Sequence, residues 1–247
     1  KHCIYSWKKI HPDFEIIEWT EDNFDVNQCE FSQKAYENKK WAYVSDFARA
    51  KILFEHGGFY LDTDMELKLP LNEFLENQAI CGFEMKGIPY SAFWAVEKKH
   101  ELAKDILQYY LDKNTFEEIP NTHIFSDLLV KKYGADAEKD VFQELKFGVK
   151  LYPSTYFSLD LPKNYIAHHF SGSWHGAWSE EKNTYKNLVN TYGLMKLFSE
   201  IPDGKTYVKN VVYNHQKMEI DQILNQIPLS YLVKYVKNQI FKKLKIK

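Results

Sequence analysis

Ser45-Asp46-Phe47-Ala48-Arg49-Ala50-Lys51-Ile52-Leu53-Phe54-Glu55-His56-Gly57-Gly58-Phe59-Tyr60-Leu61-Asp62-Thr63-Asp64 changes from a helical to a strand pattern across a Gly-Gly pair. From Trp41 to His56 the apolar residues Trp41, Val44, Phe47, Ala48, Ile52, Leu53 and Phe54 lie nearly all the way round a helix. Such a helix is expected to be buried. Gly57-Gly58 ends it, and Phe59-Tyr60-Leu61 is a short apolar strand running into Asp62-Thr63-Asp64. The buried helix nevertheless carries Asp46 and Arg49, three positions apart on one face, with Ser45 beside them. Buried charges need partners. Two readings stand at about even odds: an internal Asp46–Arg49 ion pair, or a pair that grips a polar ligand such as a sugar.

Strand alternation would place Tyr60, Asp62 and Asp64 on one side. Two carboxylates at one strand end repel each other unless a cation lies beside them, and their oxygens suit a hard ion such as Mn²⁺ or Mg²⁺. A lone DxD is weak evidence. Its place directly after an apolar strand and a Gly-Gly break strengthens it. Arg49 is the one arginine among 32 basic residues, which suggests a task needing a planar, forked donor. Late in the chain stands His168-His169-Phe170-Ser171-Gly172-Ser173-Trp174. A histidine before a glycine turn is commonly a hydrogen-bonded core residue, but a distant histidine can also complete a metal shell begun by two aspartates.

The rest of the chain frames this stretch. Its 247 residues suit one large domain, or one domain with an appendage. With 45% hydrophobic and 16% aromatic residues there is ample material for a core. A net charge of -2 argues against a nucleic-acid binder. Cys3, Cys29 and Cys81 are too widely spaced for a zinc knuckle or a disulfide framework and read as free thiols in a reducing compartment. No signal peptide and no membrane-spanning apolar run is apparent.

Short helices are expected from His2 to Lys9 and Phe31 to Lys39, with a strand over Phe14–Trp19 between them. Further strands are expected at Ala79–Phe83, Ser91–Val96, Phe147–Tyr152 and Tyr165–Phe170. Helices are expected at Glu101–Leu111 and Thr122–Tyr133, with a mainly helical pattern after Glu180. Alternating strands and helices predict an α/β sheet flanked by helices. A turn signal at Ile201-Pro202-Asp203-Gly204 divides a catalytic domain, 1–200, from a helical segment, 201–247.

The run SDxxRxxxLxxxGGxYxDTD from Ser45 to Asp64 resembles the DXD-containing sugar-binding region of glycosyltransferase family 32. HHFSGSW resembles that family's C-terminal motif, and His169 to Gly172 resembles the metal-binding HxxG turn of glycogenin-like enzymes. The resemblance spans roughly residues 1 to 178. It implies a GT-A fold, Rossmann-like in its nucleotide half, and transfer of a hexose from a UDP- or GDP-sugar to a glycan, glycolipid or other hydroxyl acceptor. The anomeric configuration would be retained, the diphosphate taking the acceptor's proton. The cofactor implied is Mn²⁺, or Mg²⁺, and the setting bacterial surface polysaccharide synthesis.

By the same resemblance Asp62 contacts the donor and helps hold the metal, Asp64 ligates it, and His169 is the second protein ligand. Asp46 and Arg49 hydrogen-bond the transferred sugar, with Ser45 and Tyr60 beside them, and Ser173 and Trp174 lie over the diphosphate. One departure is visible. Family members usually begin with an IPKxIHxxW strand that helps bind the base, and this chain starts downstream of that point at Lys1-His2-Cys3. Either the strand is missing or base recognition differs.

Two rival readings remain. A haloacid-dehalogenase-type phosphatase also places a DxD after an apolar strand, but usually has Thr or Val where Glu66 stands. A non-catalytic sugar-binding module would be favoured by loss of Asp62, Asp64 or His169, and all three are present.

After Asp221 no acidic residue occurs, while Lys234, Lys237, Lys242, Lys243, Lys245 and Lys247 are basic. On a helix, Leu232, Val233, Val236, Ile240 and Leu244 form an apolar stripe. Such a helix either packs on the domain or lies on an anionic membrane. The expected location is the cytoplasm, peripheral on the inner face of the cell membrane if the helix docks there.

Overall fold

Strands buried on both faces form the middle of the main sheet. The computed structural model describes residues 2–90, 92–159 and 164–170, together with Val233, Val236, Lys237, Ile240 and Phe241. Two units are distinguished, Lys1–Asp160 with Asn164–Thr184, and Leu161–Lys163 with Tyr185–Lys247. Among the described residues the first contains six α-helices: α1 (His2–Ile10), α2 (Glu30–Glu37), α3 (Trp41–His56), α4 (Glu101–Leu111), α5 (Asn121–Leu128) and α6 (Ser154–Phe157). The same residues form seven strands: β1 (Gly58–Leu61), β2 (Met65–Leu67), β3 (Ala79–Gly82), β4 (Phe93–Val96), β5 (Gln143–Glu144), β6 (Val149–Tyr152) and β7 (Ile166–His168). In the second unit the five described positions are helical.

Five strands form one sheet in the order β1-β4-β3-β6-β5. β3 and β6 run parallel, with Cys81 opposite Leu151, and the other pairings are antiparallel. β2 and β7 make a separate antiparallel pair, with Met65 opposite His168. This is a mixed α/β architecture with a mixed sheet, compatible with a GT-A-like fold.

Period-two alternation builds two cores. Cys81, Trp94 and Val96 point into the larger, with Phe47 and Leu53 of α3, Tyr110 of α4 and Phe125 of α5. Ile80, Phe93 and Ala95 point the other way, against Met65, Leu67, Phe74, Phe157 and Ile166. All four residues of β3 and of β4 are buried, so a polar substitution in either strand loses burial on one face or the other.

Two local devices place the Asp62–Asp64 segment. At the end of α3, the Gly57 N–H donates to the Leu53 carbonyl at 2.9 Å. Gly57 has φ 74, and a Cβ there would stand 2.7 Å from the Lys98 backbone nitrogen. Only glycine lets α3 turn into β1 so close to the end of β4. On the other side, α1 clamps β2. The Trp7 indole donates to the Met65 carbonyl at 2.7 Å, and the Ser6 hydroxyl accepts from Leu67 N–H at 2.9 Å. Further along, His11 Nε2 accepts from Leu71 N–H at 2.7 Å. Burial lowers the pKa of His11, which favours the neutral ring that acceptance requires.

Three expected elements differ. Phe14–Trp19 is not a strand: residues 15–20 have no regular secondary structure, and Ile16 and Ile17 are 37% and 52% exposed. β-propensity is realised only where a neighbour completes the ladder. The segment is anchored by ring contacts instead, Phe14 with His11 and Phe59, and Trp19 with His56. The strand expected from Phe147 begins at Val149, because Phe147 adopts φ 59 in a 3₁₀ turn. The helix expected through Tyr133 is α-helical only to Leu128 and continues as a π turn, Leu129–Tyr133, ended by left-handed Gly134. Cys3, Cys29 and Cys81 are free and buried.

Candidate active site

The site is assembled from α3, the β1–β2 turn, the end of β7 and the segment after β3. β1 ends at Leu61, and Asp62 N–H still pairs with the Ala92 carbonyl at 3.1 Å. The chain then turns, with Met65 N–H donating to the Asp62 carbonyl at 3.0 Å. A tight turn, rather than continued strand alternation, therefore brings Asp62 and Asp64 together.

Arg49 is the hub. Its guanidinium lies 3.1 Å from Asp46 Oδ1 through Nη2 and 3.2 Å from Asp62 Oδ1 through Nη1. Nε donates to the Ser45 carbonyl and Nη2 to the Ser45 hydroxyl, at 3.2 and 3.1 Å. Its carbon stands 4.4 Å from the centroid of the Tyr60 ring, a cation–π distance. The Tyr60 hydroxyl in turn donates to Asp62 Oδ1 at 2.6 Å. All three guanidinium nitrogens are thus used in a planar fork that lysine cannot reproduce. Of the two readings of Asp46 and Arg49 from sequence, the internal ion pair is present, and it extends to the DxD turn.

Asp46 also accepts from Asn121 Nδ2 at 3.2 Å, while Asn121 Oδ1 is buried with no hydrogen-bond partner among the described residues. Burial pushes the Asp46 carboxyl up to about 6, with Asp62 adding to the shift against Arg49 and Asn121. Burial likewise pushes the Tyr60 phenol well above its ordinary value, Arg49 opposing and Asp62 assisting.

Asp62, Asp64 and His168 form the second half of the site. One ligand atom from each lies within 4.8 Å of the others. His168 Nε2 is 3.4 Å from Asp64 Oδ1, and His168 Nδ1 is 3.8 Å from Glu84 Oε2. Two carboxylates and an imidazole, partly shielded from water, fit a divalent cation with affinity for oxygen and nitrogen. Burial pulls the His168 pKa down, but Asp64, Glu84 and Asp62 more than offset it, so the ring titrates above its usual range. Glu84 is pushed up to about 7 by burial, against the pull of His168.

The structure thus brings together Ser45, Asp46, Arg49, Tyr60, Asp62 and Asp64. It does not place His169 in the cation-capable group. His169 Nε2 lies 3.0 Å from Glu66 Oε2, and His168 takes the position beside Asp64. The reason is register: His168 pairs with Met65 at the end of β7, and adjacent side chains along an extended chain point oppositely. Ser173 and Trp174 lie outside the described residues. Sequence reading missed Glu84 and Asn121. A lone acid two residues after the buried strand Ala79–Gly82, and a polar residue opening a helix after Pro120, are the signals that mark them.

Residues 1–80 match a family described as "Glycosyltransferase sugar-binding region containing DXD motif". The matched segment includes Asp46, Arg49, Asp62 and Asp64 and stops before Glu84 and His168. No significant match was found among curated proteins or among solved structures. The family match and the Arg49-centred geometry together support a DXD-type, glycosyltransferase-like sugar-binding region, for which a nucleotide-sugar donor and an acceptor are the implied ligands.

The buried Asp46 sets a pH signature. Its folded-state pKa is raised from 3.8 to about 6, so between these values the native state binds more protons than the unfolded one. Asp46's contribution to stability therefore falls as pH rises from about 4 through about 6 and is constant above. Urea denaturation in EDTA should show the stability difference between wild type and Asp46→Asn moving by roughly 3 kcal/mol against wild type across that window. A difference independent of pH would contradict the shift.

Proposed function

We propose that this chain is a metal-dependent, retaining hexosyltransferase that takes its sugar from a UDP- or GDP-linked donor. The observation that carries the proposal is the position of Arg49, which ties buried Asp46 on one side to the DxD carboxylate Asp62 on the other. A sugar diphosphate needs both halves of that arrangement.

On the sugar side, Asp46, Arg49 and Asn121 offer an acceptor, a forked donor and an amide. Sugar hydroxyls are both donors and acceptors, and a closed polar pocket rejects analogues that leave its groups unpaired. On the phosphate side, Asp62, Asp64 and His168 would hold the cation. Once bound, the cation supplies neutralisation of the charge that builds on the departing diphosphate. The Asp62 Oδ1 position is fixed by Arg49 and Tyr60, so this carboxylate is oriented in advance. The family resemblance supports retention of configuration and a role in bacterial surface polysaccharide synthesis, with a glycan or lipid-linked acceptor.

Excess EDTA should abolish release of nucleoside diphosphate from a panel of UDP- and GDP-sugars, and Mn²⁺ should restore it. Asp64→Ala should lose at least 100-fold in rate, the order of effect of removing one aligned electrostatic stabiliser. Full turnover in EDTA, or an Asp64→Ala variant with normal metal binding and rate, would refute the metal-dependent reading.

The C-terminal segment supports an anionic membrane surface as a further partner. No described helix is long and apolar enough to cross a membrane. Val233, Val236, Ile240 and Phe241 are helical and between 39% and 56% exposed. The spacing of three and four residues puts Val233, Val236 and Ile240 on one stripe, with Phe241 at its edge. Lys237 shares that face, its ammonium 5.5 Å from the Phe241 ring centroid. Exposed apolar groups among lysines suit an interfacial helix on the inner face of the cell membrane, each lysine adding about 1 kcal/mol of salt-sensitive attraction. The intact chain should co-sediment with phosphatidylserine-containing vesicles, and a chain ending at Pro228 should not. Equal, negligible binding of both would remove the membrane from the account.

A further inference from the structure

One half of the Asn121 amide is in use and the other half is buried. Nδ2 donates to Asp46 Oδ1 at 3.2 Å, the oxygen that also faces Arg49 Nη2 at 3.1 Å. Oδ1 is shut away from solvent and has no hydrogen-bond partner among the described residues. Turning the amide over would set its oxygen against a carboxylate oxygen, so Asp46 fixes Oδ1 as the unpaired end. Nearly all buried polar atoms are paired, and an exception calls for a reason.

The helix that carries Asn121 is firmly seated. Asn121 opens α5, and Phe125 lies one turn further along the same face. The Phe125 ring is fully buried, stacked on Tyr90 at 4.0 Å and met edge-on by Trp94 at 4.9 Å. Asn121, Asp46, Arg49 and Asp62 form one connected row. The first three are buried, whereas the Asp62 side chain is 31% exposed. The row thus runs inward from the DxD turn, with Asn121 at its inner end. A ligand that enters past Asp62 and uncovers Asp46 comes beside Asn121 as well.

An amide oxygen accepts and cannot donate, so the partner it lacks is an O–H or N–H group. A sugar hydroxyl supplies such a donor. We infer that Asn121 is a specificity-determining residue for the transferred sugar: its Oδ1 accepts from one hydroxyl of the donor hexose, and the site selects hexoses that carry that hydroxyl free. The inference deepens the hexosyltransferase reading and rests on it. A deoxy sugar would leave Oδ1 unpaired, and a group that only accepts would set a second acceptor against it.

The test is calorimetric titration, with Mn²⁺ present, of the UDP- or GDP-hexose that binds wild type. Analogues in which each sugar hydroxyl in turn is replaced by hydrogen or by fluorine, which does not donate, are titrated beside it. At the position facing Oδ1, both replacements should weaken binding to wild type by about tenfold or more. Asn121→Ala and Asn121→Leu should bind the parent donor about tenfold more weakly. In both variants the penalty at that one position should vanish, while penalties at other hydroxyls remain. Wild type that tolerates fluorine at every position would overturn the inference, as would a folded variant that keeps every penalty. If neither variant folds, a crystal structure of wild type with the donor decides. It should place a sugar hydroxyl within about 3 Å of Oδ1, and a bound sugar with no hydroxyl there overturns the inference. Wild type that binds no hexose donor would sink the hexosyltransferase reading and this inference with it, whereas donor binding with unmoved penalties sinks the inference alone.

Discussion

One guanidinium group holds this site together. Arg49 is buried against two carboxylates, and among the described residues it is the cationic side chain paired with both. Asp62 raises the cost of ionising Asp46, and Arg49 between the two carboxylates offsets it. Removing one partner of a buried ion pair leaves an unpaired charge, which typically costs 3–5 kcal/mol. The same contact also spans two elements, since Asp46 belongs to α3 and Asp62 follows β1. Arg49 thereby makes the orientation of the DxD turn a consequence of how α3 packs.

The surrounding fold secures that packing. Phe47, Ala50 and Leu53 bury α3 in the larger core. Gly57 then permits the approach to Lys98 that aligns β1 with β4. From the other direction, α1 fixes β2 through Ser6 and Trp7. The Asp62–Asp64 turn is thereby held at both ends. Preorganisation of this kind is what lets fixed charges act on a developing charge without reorganising first.

Much of this was legible in the sequence, for stated physical reasons. An all-round apolar helix containing Asp46 and Arg49 announces buried charges, and buried charges announce partners. The Gly57-Gly58 break and the apolar residues after it place the DxD at a strand end. What could not be read was pairing between distant segments. Residues 14–19 have strand-like composition, but composition does not supply a neighbour, and the segment is irregular. The choice between His168 and His169 turns on the register of β7 against β2, and one residue of slip reverses it. Glu84 meets Ser158 and His168 through contacts between distant segments, which its place as a lone acid after β3 does not by itself reveal.

Arg49→Lys tests the central claim most directly, because it keeps the charge and removes the fork. Donor affinity should be measured by calorimetry, titrating UDP- and GDP-hexoses in the presence of Mn²⁺, with urea denaturation as a check on folding. A charge-assisted hydrogen bond in a closed site is worth about 1.5–3 kcal/mol, so the donor that binds wild type should bind folded Arg49→Lys at least tenfold more weakly. Donor affinity equal to wild type in a stable Arg49→Lys variant would contradict the account, leaving Arg49 as a structural ion pair with no part in holding the sugar.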